Sequence, residues 1–435
     1  MSRWTRFATL SLAVLLLSVP GFAADEVIDL GLEEFVQADG NDIVVPGYSV
    51  PSFEDWNNDL LKDLIVGEGG GAIPGKVRVY LNVGTEADPC FTDYFYVQAN
   101  GGDLAVPAQG CLGSFPRVVY WDADDRKDLL VGLADGTAQI FLNVADDNDP
   151  AFDAGANVKV GSNDAWDLDV GVRATPVFVH WNDDGMLDIV AGGFDGLIHI
   201  YYNCGCGTAI PPHFYYSPPD GSYAQADTHD LMVPGGRSSP VVVDLDGDGM
   251  KDLLVGNTDG LILFYKNTGV ESLPMFSGYS LVQSDGQPID LPGAPRSRPF
   301  VCYWTGDGHF GPIDGYWDLL VGAGDGKVRL YRGLPKLGDF DADGALDADD
   351  FTFIALALDL PVPPEGTPAD LNGDGVVDGL DLRLFADLWL ADRAAGKPIP
   401  LRLGGRERAA VIERMKGAGR AMLQQRAAAK RAPAL

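Results

Sequence analysis

The sequence predicts a mainly β chain: a five-bladed β-propeller closed by an N-terminal strand, followed by a small α-helical domain with two similar halves. Three observations carry this reading. A pattern of proline, strand, acidic cluster and an apolar run ending in glycine occurs five times; a partial copy of one strand stands ahead of the first unit; and two matched acidic loops follow the last. A fixed period of this size marks an array of units, each too small to bury its own core.

The units begin at Pro51, Pro116, Pro176, Pro240 and Pro299. Their apolar runs are Asp63–Gly67, Asp128–Gly132, Asp188–Gly192, Asp252–Gly256 and Asp318–Gly322, with anchoring aspartates 65, 60, 64 and 66 residues apart. In the fourth unit the expected strands are 240–244, 252–256, 261–266 and a segment around 275–283. Asp135-Gly136, Asp195-Gly196, Asp259-Gly260 and Asp325-Gly326 are placed for tight hairpins, which need a positive φ. Four short strands per unit in tandem suit propeller blades better than a sandwich.

The fifth unit has only three strands, ending at Tyr331. Residues 35–40 (Phe-Val-Gln-Ala-Asp-Gly) repeat the wording of 96–101 and 281–286, so an N-terminal strand is expected to complete the last sheet and cover two open edges.

Counted from each proline, offsets 4, 6, 8 and 12 hold oxygen-bearing side chains. The first unit offers Asp55, Asn57, Asp59 and Asp63, the fourth Asp244, Asp246, Asp248 and Asp252. Oxygens on alternate residues of a tight loop, with one more four residues on, can surround a Ca²⁺ ion, and without a cation the carboxylates would repel one another. Tyr120 and His180 replace the first ligand in the second and third units, leaving Asp122, Asp124, Asp128 and Asn182, Asp184, Asp188. The fifth unit, with Tyr303, Thr305, Asp307 and a seven-residue insertion before Asp318, is the poorest site. Trp56, Trp121, Trp181 and Trp304 all fall at offset 5, with Leu245 in the remaining unit. Two readings of these indoles stand open: packing between blades, or a ring that stacks on sugars.

Residues 339–390 carry a second duplication. Asp339, Asp341, Asp343, Asp347 and Asp350 occupy positions 1, 3, 5, 9 and 12 of a loop with Gly344 at 6; Asp370, Asn372, Asp374, Asp378 and Asp381 repeat it with Gly375 at 6. This is the EF-hand ligand count with Asp for the usual last Glu. An apolar helix is expected after each loop, over 351–360 and 382–390.

The domains are accordingly 1–23 (a leader), 28–335, 336–393 and a basic Ala/Arg-rich tail at 394–435. The leader has Arg3 and Arg6, an apolar stretch from Phe7 to Val19 and a small-residue exit, which reads as a secretory signal. No later stretch is long and apolar enough to be expected to span a bilayer. The net charge is −32; setting aside +8 in the tail and +2 in the leader leaves the body near −42. Such a surface repels phosphate backbones, so nucleic acid is not an expected partner. Of the five cysteines, Cys90 and Cys111 could pair in an oxidising compartment, Cys204 and Cys206 could close a short ring, and Cys302 reads as a buried thiol. The five histidines stand in no nucleophile or zinc motif.

With the repeats laid out, residues 30–335 resemble the FG-GAP/VCBS propellers, related to the head domain of integrin α chains, chiefly through Asp244-Leu-Asp-Gly-Asp-Gly-Met-Lys-Asp252-Leu-Leu-Val-Gly256. That resemblance implies a calcium-binding propeller. Loop-then-helix, twice over, is similar to the type I dockerin, which implies docking onto a cohesin-type protein. Recognition residues of that family, often Ser-Thr, are replaced here by Ala348-Asp349 and Gly379-Leu380. The expected function is a secreted, extracellular or cell-surface protein that binds a polysaccharide or another protein without catalysis. A polysaccharide lyase or glycoside hydrolase recruited through the same module, and a purely structural envelope protein, are the alternatives.

Overall fold

The computed structural model describes residues 28–395 apart from 123, 163, 205–211, 216–221, 246–248, 294, 305–315, 335–337, 341–345, 347, 359–366, 368 and 372–374. The leader, all but the first two residues of the expected tail, and Asp246, Asp248, Asp341, Asp343, Asp347, Asn372 and Asp374 lie outside the described residues.

The described chain is mainly β. Each repeat folds as an antiparallel meander: Val50–Glu54, Asp63–Gly67, Gly75–Asn82 and Phe91–Tyr96 in the first, and Phe115–Val119, Asp128–Gly132, Ala138–Phe141 and Ala156–Asn157 in the second. The third uses Thr175–Val179, Asp188–Gly192, Ile198–Asn203 and Phe214–Tyr215; the fourth Ser239–Val243, Asp252–Gly256, Ile262–Tyr265 and Ser280–Leu281. Fourth strands in the later units are only two residues long, shorter than the alternating sequence suggests. The repeating proline sits second in each first strand, opposite Val66, Val131, Ala191, Val255 or Val321. Proline is tolerated there because the first strand is a sheet edge.

The apolar run in each second strand has no polar alternation because both of its faces are covered. In the first unit Leu64 and Val66 pack with Leu320 and Val328 of the fifth, whereas Ile65 packs with Leu129 and Val131 of the second. Among the described residues, clusters of this kind join each unit to the next, including the fifth to the first.

The glycine closing each run is what lets the units approach. A Cβ on Gly67 would stand 2.4 Å from the Cδ of Pro116, and one on Gly132 2.4 Å from that of Pro176; Gly256 meets Pro299 and Gly322 meets Pro51 in the same way. A serine two residues before the proline ties the same seam. Ser114 Oγ donates to the Lys76 carbonyl (2.7 Å), Ser238 to Leu197 (2.7 Å), Ser297 to Leu261 (2.6 Å) and Ser49, between first and fifth units, to Lys327 (2.6 Å). In the third unit Ala174 stands there and the neighbouring Thr175 Oγ1 reaches the Ser238 carbonyl instead (3.0 Å).

The fifth unit has Arg298–Cys302, Asp318–Gly322 and Val328–Tyr331, and its fourth strand comes from the N-terminal segment: Glu34–Phe35 pairs antiparallel with Val328–Tyr331. That segment reaches further than expected. Asp29–Leu30 runs parallel to Gln283–Ser284 of the fourth unit, and Ala38 pairs with Phe91 of the first.

Two helices follow, α1 (Ala348–Ala357) and α2 (Gly379–Ala395). Both start inside the acidic loops, a few residues before the apolar stretches expected to form them. Phe340, Leu346, Ile354, Leu371, Phe385 and Leu388 form their shared core. No described helix is long and apolar enough to cross a membrane.

Candidate metal sites and the axial mouth

The aspartate that opens the second strand, at offset 12 in the first four units and Asp318 in the fifth, is buried in every unit and acts first as a clamp on the backbone. Asp63 Oδ2 accepts the Trp56 N–H (2.9 Å) and Oδ1 the Asn82 N–H (2.7 Å). Asp128 takes Trp121 and Asn143 (3.1 and 2.8 Å), Asp188 takes Trp181 and Asn203 (3.2 and 2.7 Å), Asp252 takes Leu245 and Asn267 (3.3 and 2.8 Å), and Asp318 takes Trp304 and Gly333 (both 2.8 Å). Each carboxylate thus fastens the acidic loop to the end of the third strand. Burial pushes Asp63, Asp128 and Asp188 up to about 6, against the lowering effect of those two N–H donors.

The partner asparagine was not singled out from the sequence, although Asn82, Asn143 and Asn267 recur 15 to 19 residues after the clamp. Its side chain pins the following turn: Asn82 Oδ1 accepts from Gly84 and Cys90, Asn143 Oδ1 from Ala145 and Ala151, and Asn267 Oδ1 from Gly269 and Met275.

The remaining loop oxygens differ between units for a chemical reason. In the first and third, an asparagine at offset 6 donates to the aspartate at offset 8: Asn57 Nδ2 to Asp59 and Asn182 Nδ2 to Asp184, both 3.0 Å. In the second unit an aspartate takes that place and has no hydrogen to give. Asp122, Asp124 and Asp128 bring carboxylate oxygens within 4.8 Å of one another, the one group of three acidic, His or Cys side chains so placed among the described residues. Burial and the facing Asp124 raise the Asp122 carboxyl, and Arg126 pairs with Asp124 on the outer side.

Around the first loop, Asp55 Oδ1 is buried without a hydrogen bond, its nearest cation being Lys127 Nζ at 3.8 Å. His180 does not leave a gap in the third loop, since its Nδ1 contacts the Met186 carbonyl at 2.8 Å. In the fourth, Asp244 Oδ2 accepts the Gly249 N–H at 2.9 Å. In the C-terminal module Asp350 accepts Phe340 N–H (2.6 Å), Asp370 accepts Gly375 N–H (2.9 Å) and Asp381 accepts Asp378 N–H (2.8 Å), while Tyr316 O–H bonds Asp339 and joins the module to the fifth unit.

Of the two readings of the tryptophans, the structure takes the first and corrects the second. Trp56, Trp121, Trp181 and Trp304 are all under 8% exposed. Each packs on an aromatic ring of the next unit: Phe152 (5.8 Å between centroids), Phe178 (5.3 Å), Phe276 (6.3 Å) and Phe53 (4.7 Å). Such rings cannot also stack on a sugar. Leu245 packs at the fourth-to-fifth seam. Cys302 is a buried thiol, as expected, and burial raises its pKa. Cys90 and Cys111, which could have paired, are both free thiols, and Cys206 lies outside the described residues. Cys90 is exposed in the turn held by Asn82, whereas Cys111 is buried beside Arg173.

A second assembly was missed in the sequence altogether. Three residues before the proline stand Tyr48, Gly113, Arg173, Arg237 and Arg296. The three arginines share a positive φ (65°, 55° and 46°). Tabulating offset −3 as well as the positive offsets would have found them.

A family description, the FG-GAP-like repeat, matches residues 180–255, from the acidic loop of the third unit through the second strand of the fourth. No curated protein matches the chain. Among solved structures, a Photorhabdus luminescens Tc holotoxin pore matches at 11% identity and TM-score 0.33; the match covers 71% of this chain and only 15% of that one. The catalytic domain of a Coprinopsis cinerea GH62 α-L-arabinofuranosidase matches at 12% identity and TM-score 0.39 over 71% of this chain and 97% of that one. A Xanthomonas citri GH43_1 enzyme matches at 10% identity and TM-score 0.38, over 71% and 91%. At these scores none of the three bears on chemistry.

Proposed function

We propose that the five meanders form a five-bladed, calcium-stiffened propeller of a secreted binding protein, which presents its loops to a polysaccharide or extracellular protein without turning it over. The module at 339–390 holds it to a cohesin-type partner. The observation that carries this reading is the convergence of Asp122, Asp124 and Asp128 within 4.8 Å in a loop of the type that the FG-GAP-like match covers one unit later. Three hard oxygen donors at that separation suit Ca²⁺, which takes six to eight oxygens at about 2.3–2.6 Å, better than a softer metal. Asp55, Asp59 and Asp63, Asp184 and Asp188, and Asp244 and Asp252 are the corresponding donors in the other loops. Calcium bound there would tie the loop to the sheet that the offset-12 aspartate already clamps.

The test is a calcium titration of the chelated, exported protein followed by a glycan array and a pull-down with a cohesin-type domain. Saturable calcium binding with a raised melting temperature, glycan or protein capture and no product release would support the reading. Reducing ends or unsaturated products from a polysaccharide panel would replace it with the enzymatic one.

A further inference from the structure

The strands that begin each unit face one another around the axis, and the residues just ahead of them gather at one of its mouths. Arg173, Arg237 and Arg296 come from the third, fourth and fifth units, and Arg298 joins them from the fifth. Arg173 and Arg298 are buried (2% and 0% exposed), while Arg237 and Arg296 are half-buried and form the rim. Tyr48 of the first unit and Cys111 of the second complete the circle. Arg296 donates to Tyr48 Oη at 2.6 Å, Arg298 lies over the Tyr48 ring at 4.9 Å and reaches across to the Cys111 carbonyl, and Arg173 sits beside the Cys111 thiol.

Four guanidinium groups so placed ought to have counter-ions, and among the described residues none of the four forms an ion pair. Glu68, the buried acid of the loop after the first unit's second strand, is taken by Arg78 at 2.5 Å and by Tyr96. The hydrogen bonds of Arg173 and Arg298 go to neutral acceptors: the Ser238 carbonyl and Ser239 Oγ for the first, the Arg296 and Cys111 carbonyls for the second. The Nε of all four arginines is buried with no acceptor. Burial and the neighbouring guanidinium groups pull Arg173 down to about 10 and lower Arg298 as well. Three of the four are also held at positive φ, a conformation that non-glycine residues adopt at a cost and that recurs at ligand sites.

We propose that this mouth binds a compact oxyanion, a carboxylate, sulfate or phosphate group, received by Arg237 and Arg296 at the rim and by Arg173 and Arg298 beneath. Guanidinium forks match the paired oxygens of such groups and hold them by charge-assisted bonds. The site is a local exception on a chain of net charge −32, so it selects by contact and not by long-range attraction. It deepens the binding reading by naming the ligand's chemistry, and it does not require calcium in any loop.

The experiment uses the full exported chain. Its melting temperature is measured in sodium sulfate, sodium phosphate and sodium chloride at matched ionic strength, and calorimetric titrations are made with galacturonate, a sulfated oligosaccharide and their neutral counterparts. Sulfate and phosphate stabilise folded proteins generally, so a rise over chloride that shrinks in Arg237→Gln with Arg296→Gln supports a site for the free ion. Binding by the acidic sugars alone supports a sugar-borne oxyanion. Arg237→Gln with Arg296→Gln should weaken either by at least tenfold, with circular dichroism showing the fold retained. Should that double variant fail to fold, Arg296→Lys keeps the charge, loses the fork and should weaken binding several-fold, whereas Lys159→Gln on an outer strand should change nothing. A salt effect that the double variant keeps in full, with no binding of the acidic sugars, overturns the anion site. Binding of neutral sugars under those conditions leaves the broader binding reading standing, and its absence across the glycan array removes that too.

Discussion

Gly322 lies so close to Ser49 that a Cβ on the glycine would stand 2.3 Å from the serine carbonyl oxygen. The two residues are 273 positions apart in the chain and belong to the last and first repeats. Gly322→Ala should therefore force the seam apart, an overpacking cost of about 1–3 kcal/mol in chemical unfolding. Gly102→Ala, where nothing lies within 4 Å, should stay within about 0.5 kcal/mol of the wild type. Equal effects would contradict the seam.

Asp188 holds the Trp181 and Asn203 N–H groups at once. Removing it in Asp188→Ala deprives one buried and one half-buried donor of their acceptor and should cost about 2–3 kcal/mol, with Asp188→Asn losing less because its amide keeps one acceptor. Denaturant melts of both variants beside the wild type measure this.

The same carboxyl gives a pH signature in chelated protein. Burial raises Asp188 from 3.8 to about 6, so the folded state holds its proton more tightly than the unfolded chain. Its contribution to stability is full below about 4, falls as pH rises to about 6 and is constant above. The stability difference between wild type and Asp188→Asn, followed from pH 4 to 7, should change across that window and be flat beyond it.

Chelation should lower the melting temperature, since an ion bound only by the native state stabilises it by RT ln(1 + [L]/Kd). The calcium-dependent shift should shrink in Asp122→Asn more than in Asp184→Asn, because the first disrupts the three converging carboxylates and the second alters a loop closed by Asn182. Scanning calorimetry with and without calcium checks the order.

Trp121→Ala should destabilise by about 3–5 kcal/mol through loss of its contacts with Phe178 and Phe214. Trp121→Phe should keep most of the stability and all ligand binding. Loss of binding in a folded Trp121→Phe protein would restore the sugar-stacking reading.

The repeating Pro, Asp and Gly were legible because each does the same physical task in all five units: an edge strand, a backbone clamp and a close approach. The N-terminal strand was legible in part. Residues 35–40 repeat an internal motif, and Glu34–Phe35 does pair with the fifth unit, but the pairing of Asp29–Leu30 with Gln283–Ser284 has no counterpart in the repeats. Loop chemistry was harder to read. Asn57 and Asp122 look equivalent as oxygen donors, yet only the amide can donate a hydrogen bond, and Asn57 gives its hydrogen to Asp59. The arginine mouth escaped because its members stand before the proline, in a turn with no strand periodicity, and meet only when the five units come round.

The N-terminal segment touches the fourth unit at Gln283, the fifth at Arg329 and the first at Phe91. Residues made first must therefore wait for some of those made later, and the sheet of the fifth unit stays incomplete until about 300 more residues have followed. Contacts of such sequence separation make assembly slow. A lost or clipped start would leave the outer edge of Val328–Tyr331 unpaired, ready to take its missing strand from a second molecule.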